Sequence, residues 1–528
     1  MDAYDRYRRT VPAPVTNRSW LLRGAGMEHF NLADEPVPVP GPRELLARVD
    51  AISICFSDVK LIRAGNKHHR VLEPLEQRPT VPGHEVALTV VQAGRDVAGR
   101  FRPGARYIIQ ADIYKNGKID TFGYTQRGGM ALFVILRETA LDGDAGCYLL
   151  PMADATGYSE GALVEPWACV EAAYHISRAT GFEGRPAGFV HPRLRNTLQS
   201  AVGRAGCALI AEGDQATRPA RLFIPAGLPA DEYTALEHRA ADGAVIAIAA
   251  EKEGTLPVDA GAIHYRNLRV VSGKPGNLIE LVDRADRTDL LAGGRVLFAG
   301  AGGPMGQMHI QRAFDMANRP SAIAVSDISP ARLAFICRRF EARARLEKVA
   351  FETVDASRDP SIVRRDLYAF SEGGFDDIVV MAPVALLVAE AQQLARRGAL
   401  VNIFAGLVVG TPFGYEPARA AELNLRFTGS SGSSMEDIRR ALELVEAGRL
   451  RSDTIVRAVG GLKALKEGVQ AVAEGSFPGK VVIYPHLMDL PLTTLEACAA
   501  KYPSVAARFD DGAWTRDAER ELFNRMLG

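Results

Sequence analysis

The sequence predicts an α/β protein in which a β-rich part precedes two α/β units. Between residues 40 and 150, stretches of alternating apolar residues such as "EVALTVVQAG" are separated by Gly and Pro, which is typical of short strands and turns. From about residue 184, strands and helices alternate, which favours a parallel sheet. A segment with helical spacing, residues 159–179, lies between these two parts.

The α/β part contains an internal repeat, in which residues 220–273 resemble residues 376–429. The spacing between matched residues drifts by single positions, as loop insertions and deletions produce. Two related α/β units therefore follow one another in the chain. The matched residues are Gly243 with Gly398, Gly254-Thr255 with Gly410-Thr411, and Asn267 to Arg269 with Asn424 to Arg426.

Length and charge narrow the possible functions. A chain of 528 residues exceeds one compact core, so two to four domains are expected. Lys+Arg and Asp+Glu both number 63, and no basic run carries interleaved aromatic residues, so nothing favours nucleic acid as a partner. The N-terminus lacks the apolar segment of a signal peptide, and no apolar run approaches the roughly 18–20 residues that span a bilayer. A cytoplasmic location without a membrane partner is expected.

A glycine-rich turn, "FAGAGGPMG", lies between an apolar strand and a helix. Glycines let a backbone approach a pyrophosphate closely, and the following helix N-terminus supplies N–H donors. This context favours dinucleotide binding, although the spacing departs from GxGxxG and a plain strand–helix turn is the alternative. Asp327 ends the next strand, where a carboxylate binds the ribose, and therefore favours NAD over NADP. The cofactor-binding candidates in the turn are Gly300, Gly302, Gly303, Pro304, Met305 and Gly306.

An imidazole and a carboxylate, His84 and Glu85, stand where an apolar strand begins. An unpaired charge buried there would be costly, so either both side chains face solvent or something holds them. Cys55 and Glu165 add a thiolate and a second carboxylate, and a catalytic zinc uses three such ligands plus an open position. Taken singly, Cys55 is better explained as a core cysteine and His84 as a capped surface histidine, and it is their combination with a dinucleotide-binding unit that favours the metal.

These motifs resemble those of the zinc-dependent medium-chain dehydrogenases, the alcohol dehydrogenase-like superfamily, and the sorbitol and polyol dehydrogenases look most similar. The resemblance covers about residues 20–180 and 290–487. It implies a chaperonin-10-like, β-rich catalytic domain and a Rossmann domain that binds the dinucleotide. The segments that carry it, in the family's order, are "CFSD", "VPGHE", "FRPGARY", Glu165-Pro166, the glycine turn and "VSD".

On this basis the chain is expected to divide into three parts. Residues 1–180 form the catalytic domain, which about 450–528 complete. Residues 184–290 form an inserted, degenerate Rossmann-like unit, and residues 291–450 form the NAD-binding Rossmann domain. The insertion lacks a glycine turn after its first strand, which favours packing or subunit contact over a second ligand site. The resemblance also implies a homo-oligomer, either a dimer or a tetramer.

The resemblance assigns roles to the metal-site candidates. Cys55, His84 and Glu85 are expected to bind zinc, and Glu165 to be an exchangeable fourth ligand or to hold the zinc-bound water. The family's four-cysteine structural lobe is absent, because residues 111–129 contain no cysteine and no CxxC pair occurs anywhere. One catalytic zinc is therefore expected.

Residues beside Cys55 are expected to support catalysis. By resemblance, Ser57 relays the substrate proton and Asp58 orients the ligands. Phe56 departs from the family, in which a glycine usually separates Cys from Ser, and would crowd the pocket.

Two further pairs of residues have open interpretations. His68 and His69, in "GNKHHR", are either part of a solvated charged loop or contacts for the substrate or its phosphate. Phe404, in "FAGL", and Thr428, in "TGSSG", follow late strands of the α/β part, where the nicotinamide would lie. Ordinary strand-to-helix turns explain the second pair equally well.

Together these features predict a zinc-dependent NAD(H) oxidoreductase that interconverts a secondary alcohol and a ketone. The expected small-molecule substrate is a polyol, a sugar or a sugar phosphate. One alternative is a zinc-free quinone or enone reductase of the same superfamily, which would suit Phe56 but leaves Cys55 and His84-Glu85 without a role. Another is a non-catalytic NAD(H)-binding sensor or scaffold, which would bind NADH without turnover.

Overall fold

The computed structural model describes residues 1–10, 15–175, 186–211, 213–250, 254–283 and 287–528. Two units comprise Met1–Glu171 with Gly432–Gly528, and Ala172–Ser431. The boundary expected between residues 180 and 184 lies outside the described residues. The strands of the inserted part and of the NAD-binding part all lie in the second unit, and the three-part division stays a prediction.

Short strands dominate the N-terminal part of the first unit, because apolar residues alternate there between Gly- and Pro-rich turns. Its strands are β1 (Asn17–Leu22), β2 (Phe30–Glu35), β3 (Leu45–Ser53), β4 (Glu85–Ala93), β5 (Arg106–Ile109), β6 (Tyr114–Lys115), β7 (Lys118–Ile119), β8 (Phe133–Leu136) and β9 (Leu149–Pro151). Its helices are α1 (Ala3–Arg9), α2 (Phe56–Ala64), α3 (Glu138–Leu141), α4 (Tyr158–Ala162) and α5 (Val164–Ala172), the last of which ends at the boundary between the units.

In the second unit, strands alternate with helices. The inserted part holds β10 (Ala187–Val190), β11 (Ala208–Leu209), β12 (Arg221–Pro225), β13 (Val245–Ala249), β14 (Leu256–Asp259) and β15 (Arg269–Gly273), with α6 (Arg195–Arg204), α7 (Ala230–Arg239), α8 (Ala260–Tyr265) and α9 (Leu278–Asp283). The rest holds β16 (Arg295–Ala299), β17 (Ala322–Asp327), β18 (Ala350–Asp355), β19 (Phe375–Val380), β20 (Ala395–Ile403), β21 (Pro412–Tyr415) and β22 (Arg426–Gly429), with α10 (Pro304–Asp315), α11 (Pro330–Glu347), α12 (Pro360–Phe370), α13 (Ala385–Leu394) and α14 (Pro417–Leu423).

The C-terminal part returns to the first unit. It holds β23 (Val456–Gly461), β24 (Lys480–Tyr484) and β25 (Thr493–Thr494), with α15 (Met435–Glu446), α16 (Leu465–Glu474), α17 (Leu495–Lys501), α18 (Pro503–Ala506) and α19 (Arg516–Leu527). In the described part of the chain, no helix combines the length and the apolar character needed to cross a membrane.

An eight-stranded sheet organises the first unit, in the order β25-β23-β24-β3-β4-β5-β9, with β8 also paired to β3. Strands from both ends of the chain meet in it. β24 runs antiparallel to β3 with Val482 opposite Ser53, and β3 runs antiparallel to β4 with Ser53 opposite Glu85. β24 and β4 therefore lie on either side of β3, and this register places the starts of both strands at the same end of the sheet.

An eleven-stranded sheet organises the second unit, in the order β11-β10-β12-β13-β15-β22-β20-β19-β16-β17-β18. Its neighbouring strands run parallel except for β15 and β22, which are antiparallel. The predicted mixed α/β class with a parallel sheet is confirmed. The glycine turn lies at the carboxyl end of β16, where ligands of such sheets bind.

The two copies of the repeat pair with each other about a local twofold axis. Val270 in β15 lies opposite Phe427 in β22, and these are equivalent positions, since each follows the arginine of the matched Asn-Leu-Arg. β14 and β21 are likewise antiparallel, with Leu256 opposite Tyr415 and Asp259 opposite Pro412. Leu256 and Pro412 both follow the matched Gly-Thr, so exchanging the two copies reproduces the pairing.

Candidate metal and dinucleotide sites

Three of the four predicted zinc ligands come together in the first unit. Cys55 is the N-cap residue of α2, His84 immediately precedes β4, and Glu85 is the first residue of β4. One ligand atom from each lies within 4.8 Å of the other two. His84 is 6% exposed and Glu85 is fully buried, so neither side chain faces solvent. We call this set the metal group.

Asp58 organises the metal group from one turn into α2. Its side chain accepts hydrogen bonds from the backbone N–H of Cys55, at 2.9 Å, and of Gly83, at 3.1 Å. Its Oδ1 atom also lies 3.4 Å from Nδ1 of His84. The fully buried carboxylate therefore holds the segments that carry two of the candidate ligands, and the orienting role of Asp58 in catalysis stays a prediction.

Lys480, which the sequence analysis did not single out, forms an ion pair with Glu85, the third candidate ligand. Its Nζ donates to both carboxylate oxygens of Glu85, at 2.6 and 2.8 Å, and the pair is almost completely buried. Although burial works against its charge, Glu85 holds the pKa of Lys480 above its ordinary value. The sequence signal is a lysine at the start of the otherwise apolar strand "KVVIY".

Glu165, the fourth predicted ligand, lies near the metal group but is not part of it. It begins α5, and Cys169, one turn later, donates from Sγ to Oε1 of Glu165 at 3.8 Å. Burial raises the pKa of Glu165 to about 7, with the charge of Glu85 adding to the rise and that of His84 opposing it. A carboxyl group tuned in this way can take up or release a proton near neutral pH.

Ser57 and Tyr124 flank the imidazole of His84. Oγ of Ser57 lies 3.3 Å from Nε2 of His84. The ring centroid of Tyr124 is 5.7 Å from that of His84. Tyr124 is thus a second residue that the sequence analysis missed. Phe56, expected to crowd the pocket, is 47% exposed, with the Arg63 guanidinium carbon 5.9 Å from its ring centroid.

The glycine turn has the close approaches that a pyrophosphate-binding turn needs. Gly300 has φ +74°, and an added Cβ would lie 2.5 Å from the side chain of Ala382. An added Cβ at Gly306 would lie 2.1 Å from the Ala301 carbonyl oxygen, so the start of α10 packs directly on the turn. Gly303 is the N-cap residue of α10, and an added Cβ there would meet no atom within 4 Å. The remaining candidates, Gly302, Pro304 and Met305, complete the turn and the first residues of α10.

Asp327 closes the turn from the end of β17. Its Oδ2 accepts the N–H of Gly302 at 2.8 Å, and its Oδ1 accepts the N–H of Ser329 at 2.9 Å. The carboxylate is 6% exposed and lies against the glycine backbone, so a side chain at position 302 would displace it. Its place beside the turn suits a ribose hydroxyl.

Phe404 and Thr428 lie at the same end of the second unit's sheet. Phe404 follows β20, Thr428 is in β22, and the two strands pair with Asn402 opposite Thr428. The Phe404 ring packs edge-on against His309 of α10, with ring centroids 4.4 Å apart. Both residues therefore lie at the carboxyl end of the sheet, the end at which the glycine turn follows β16.

The donor set of the metal group fits zinc, because a thiolate, an imidazole and a carboxylate are its common protein ligands. The buried Nδ1 of His84 makes no hydrogen bond, although Asp58 lies beside it, so the imidazole is not fully committed elsewhere. A dinucleotide fits the turn, because side chains are absent where its phosphates would lie.

Comparison with known proteins shows what the chain is similar to. Residues 41–142 match the family model described as the alcohol dehydrogenase GroES-like domain. The chain contains a GroES-like domain. The match includes three metal-group residues and Asp58, and the recognised resemblance to the alcohol dehydrogenase-like superfamily is confirmed.

Curated relatives extend the likeness beyond the GroES-like domain. The chain is 24% identical to mannitol-1-phosphate 5-dehydrogenase of Aliivibrio fischeri over 514 residues, 94% of this chain and 95% of that protein. It is 24% identical to L-sorbose 1-phosphate reductase of Klebsiella pneumoniae over 509 residues, 95% and 96% of the two chains. Sorbitol dehydrogenase of Gallus gallus is 32% identical over 166 residues, 30% of this chain and 44% of that protein.

Solved dehydrogenase structures that combine a GroES-like and a Rossmann-type domain have a similar fold. 2R,3R-butanediol dehydrogenase from Bacillus subtilis aligns with TM-score 0.54 and 16% identity, covering 89% of this chain and 99% of that one. A cobalt- and zinc-bound alcohol dehydrogenase from Pyrobaculum aerophilum aligns with TM-score 0.51 and 14% identity, covering 89% and 100%.

Proposed function

We propose that the protein is a zinc-dependent NAD(H) oxidoreductase that interconverts a secondary alcohol and a ketone on a polyol, a sugar or a sugar phosphate. The observation that carries the proposal is that Cys55 lies with the buried His84 and Glu85 in one group, in a chain whose second unit has a glycine turn. Two relatives that align along nearly the whole chain are named for sugar phosphates, which supports this substrate class. The cytoplasmic location stays a prediction.

The surroundings of the metal group suit proton removal from an alcohol. A zinc ion held by Cys55, His84 and Glu85 would lower the pKa of a bound alcohol, and NAD would accept the hydride. We assign the relay of the alcohol proton to Ser57, whose Oγ lies 3.3 Å from Nε2 of His84. Glu165, whose pKa is raised by burial, supplies a second carboxyl group near the metal group.

The proposal is tested by following NADH formation with mannitol, sorbitol, their phosphates and L-sorbose 1-phosphate. Turnover that chelator removes and added zinc restores would support it. Turnover of quinones or enones that is insensitive to chelator would favour the zinc-free reductase. NADH binding without turnover on any of these compounds would favour the sensor or scaffold.

We propose NAD as the coenzyme because of Asp327. Replacing Asp327 with Ala is expected to lower kcat/KM for NAD relative to NADP by about tenfold or more, since a carboxylate at this place binds the ribose hydroxyls and repels a 2′-phosphate. The measurement is the ratio of kcat/KM values for the two coenzymes. Asp327→Asn is the matched control, because it keeps an acceptor for the Gly302 N–H but loses the charge. A wild-type preference for NADP would contradict the assignment.

We also propose that the protein is a homo-oligomer. We propose that the inserted unit packs against the rest of the second unit and does not bind a second ligand. β21 and β22 already pair with β14 and β15 inside the chain, and Asp259 accepts the backbone N–H of Gly410 at 2.7 Å. Subunits would therefore meet through other surfaces. Light scattering tests this: a mass of two or four chains supports it, whereas a single chain of 57.0 kDa would mean that the inserted unit replaces a partner.

A further inference from the structure

A cluster of basic side chains follows the helix that begins beside Cys55, and the proposed chemistry gives it no role. It consists of Lys60 on α2 and of His68, His69 and Arg70 in the loop after α2. The rings of His68 and His69 stack with centroids 4.7 Å apart. Lys60 and His69 are exposed, whereas His68 and Arg70 are partly buried. We call these four residues the cationic cluster.

One aromatic ring joins the cationic cluster to the metal group. The ring centroid of Tyr124 is 5.4 Å from that of His68 and 5.7 Å from that of His84. The guanidinium carbon of Arg70 lies 5.1 Å from the same ring. Tyr124 is 7% exposed, and its ring contacts connect the cationic cluster to the metal group.

The cationic cluster has a surplus of positive charge. Arg70 forms a two-bonded ion pair with Asp112, at 2.7 and 3.3 Å. Burial and the charges of His69, Arg70 and Lys60 lower the pKa of His68 to about 4, so its ring is neutral at neutral pH.

The hydrogen bonding of His68 makes the neutral ring a donor. The backbone N–H of Arg70 donates to Nδ1 of His68 at 3.2 Å. A neutral imidazole that accepts at Nδ1 carries its proton on Nε2. The cluster thus offers a guanidinium, an ammonium and an imidazole N–H.

We propose that the cationic cluster binds the phosphate of a phosphorylated polyol or ketose. The proposal rests on the proposed function and narrows its substrate class from polyols and sugars to their phosphate esters. A phosphate dianion accepts several charge-assisted hydrogen bonds at once, and guanidinium and ammonium groups are its usual partners. Asp112 balances the charge of Arg70 but not that of Lys60. A bound phosphate would supply the additional negative charge.

Binding, measured without turnover, tests the proposal. Isothermal titration calorimetry on the full-length protein compares D-mannitol 1-phosphate with D-mannitol and L-sorbose 1-phosphate with L-sorbose. We expect at least one ester to bind about tenfold or more tightly than its parent, as charge-assisted hydrogen bonds give. Inorganic phosphate should compete with that ester and not with the parent.

Variants locate the phosphate. Lys60→Gln and Arg70→Met are expected to reduce the preference for the ester about tenfold and to leave affinity for the parent unchanged. Arg63→Gln is the matched control, because it removes one positive charge from the same helix but contacts Phe56 and the Ala473 carbonyl oxygen. Lys60 is exposed, so its replacement does not threaten folding.

The outcomes separate this proposal from the proposed function. Equal affinity for esters and parents, no binding of either, or equal losses in Lys60→Gln and Arg63→Gln would overturn the phosphate site. Tight ester binding that depends on Lys60 and Arg70, without NAD-linked turnover, would contradict the proposed function and leave the phosphate site standing.

Discussion

Replacing His84 with Ala is expected to lower kcat/KM for the preferred alcohol by about a thousandfold or more, because a metal ion supplies several kcal/mol of transition-state stabilisation. His84 is one of three residues in the metal group, and its buried imidazole lies between Asp58 and Ser57. The measurement is steady-state NADH formation, with the zinc content of each preparation determined alongside.

His29→Ala is the matched control for His84→Ala. His29 lies in the same unit with a side chain that is 53% exposed, so its loss should leave both zinc content and turnover unchanged. A His84→Ala variant that keeps wild-type turnover would contradict the metal assignment. It would shift the interpretation towards the zinc-free reductase.

Replacing Lys480 with Met is expected to lower the free energy of unfolding by about 3–5 kcal/mol, because it leaves the fully buried Glu85 carboxylate unpaired. Chelator-treated protein removes any contribution of metal to this comparison. Chemical denaturation followed by tryptophan fluorescence is suitable, since Trp20, Trp167 and Trp514 are the chain's only tryptophans and all lie in the first unit.

Two controls define the Lys480 effect. Lys463→Met removes an exposed lysine that lies 2.5 Å from Asp489, and should cost less than about 1 kcal/mol. Glu85→Gln combined with Lys480→Met removes both buried charges and should recover most of the loss. A Lys480→Met variant as stable as Lys463→Met would mean that the pair does not hold Glu85.

Local sequence pattern predicted much of the fold. Strand–helix alternation predicted the parallel sheet of the second unit, and the matched Asn-Leu-Arg segments predicted two related units. The antiparallel junction of β15 and β22 was not predicted, because no local pattern specifies which strand edges meet. That junction depends on how two copies of one unit pack together.

The candidate site shows the same division between local and distant contacts. Cys55 and His84-Glu85 were predicted from the sequence, because their residue types are those of metal ligands and their motifs occur in the order seen in the family. Lys480 was not, because it reaches Glu85 only through the sheet register in which β24 and β4 both flank β3. Glu165, expected to be an exchangeable fourth ligand or to hold the zinc-bound water, lies near the metal group and beside Cys169, and its role stays a prediction.

The zinc content of purified, tag-free protein, measured by elemental analysis, tests the metal assignment. We expect about one zinc ion per chain in the wild type, since three protein ligands and an open position define a catalytic zinc site. We also expect loss of that zinc in Cys55→Ala, and its retention in Cys337→Ala, which removes a thiol in the other unit. Wild-type protein that holds no zinc even after growth in excess metal would contradict zinc binding by Cys55, His84 and Glu85.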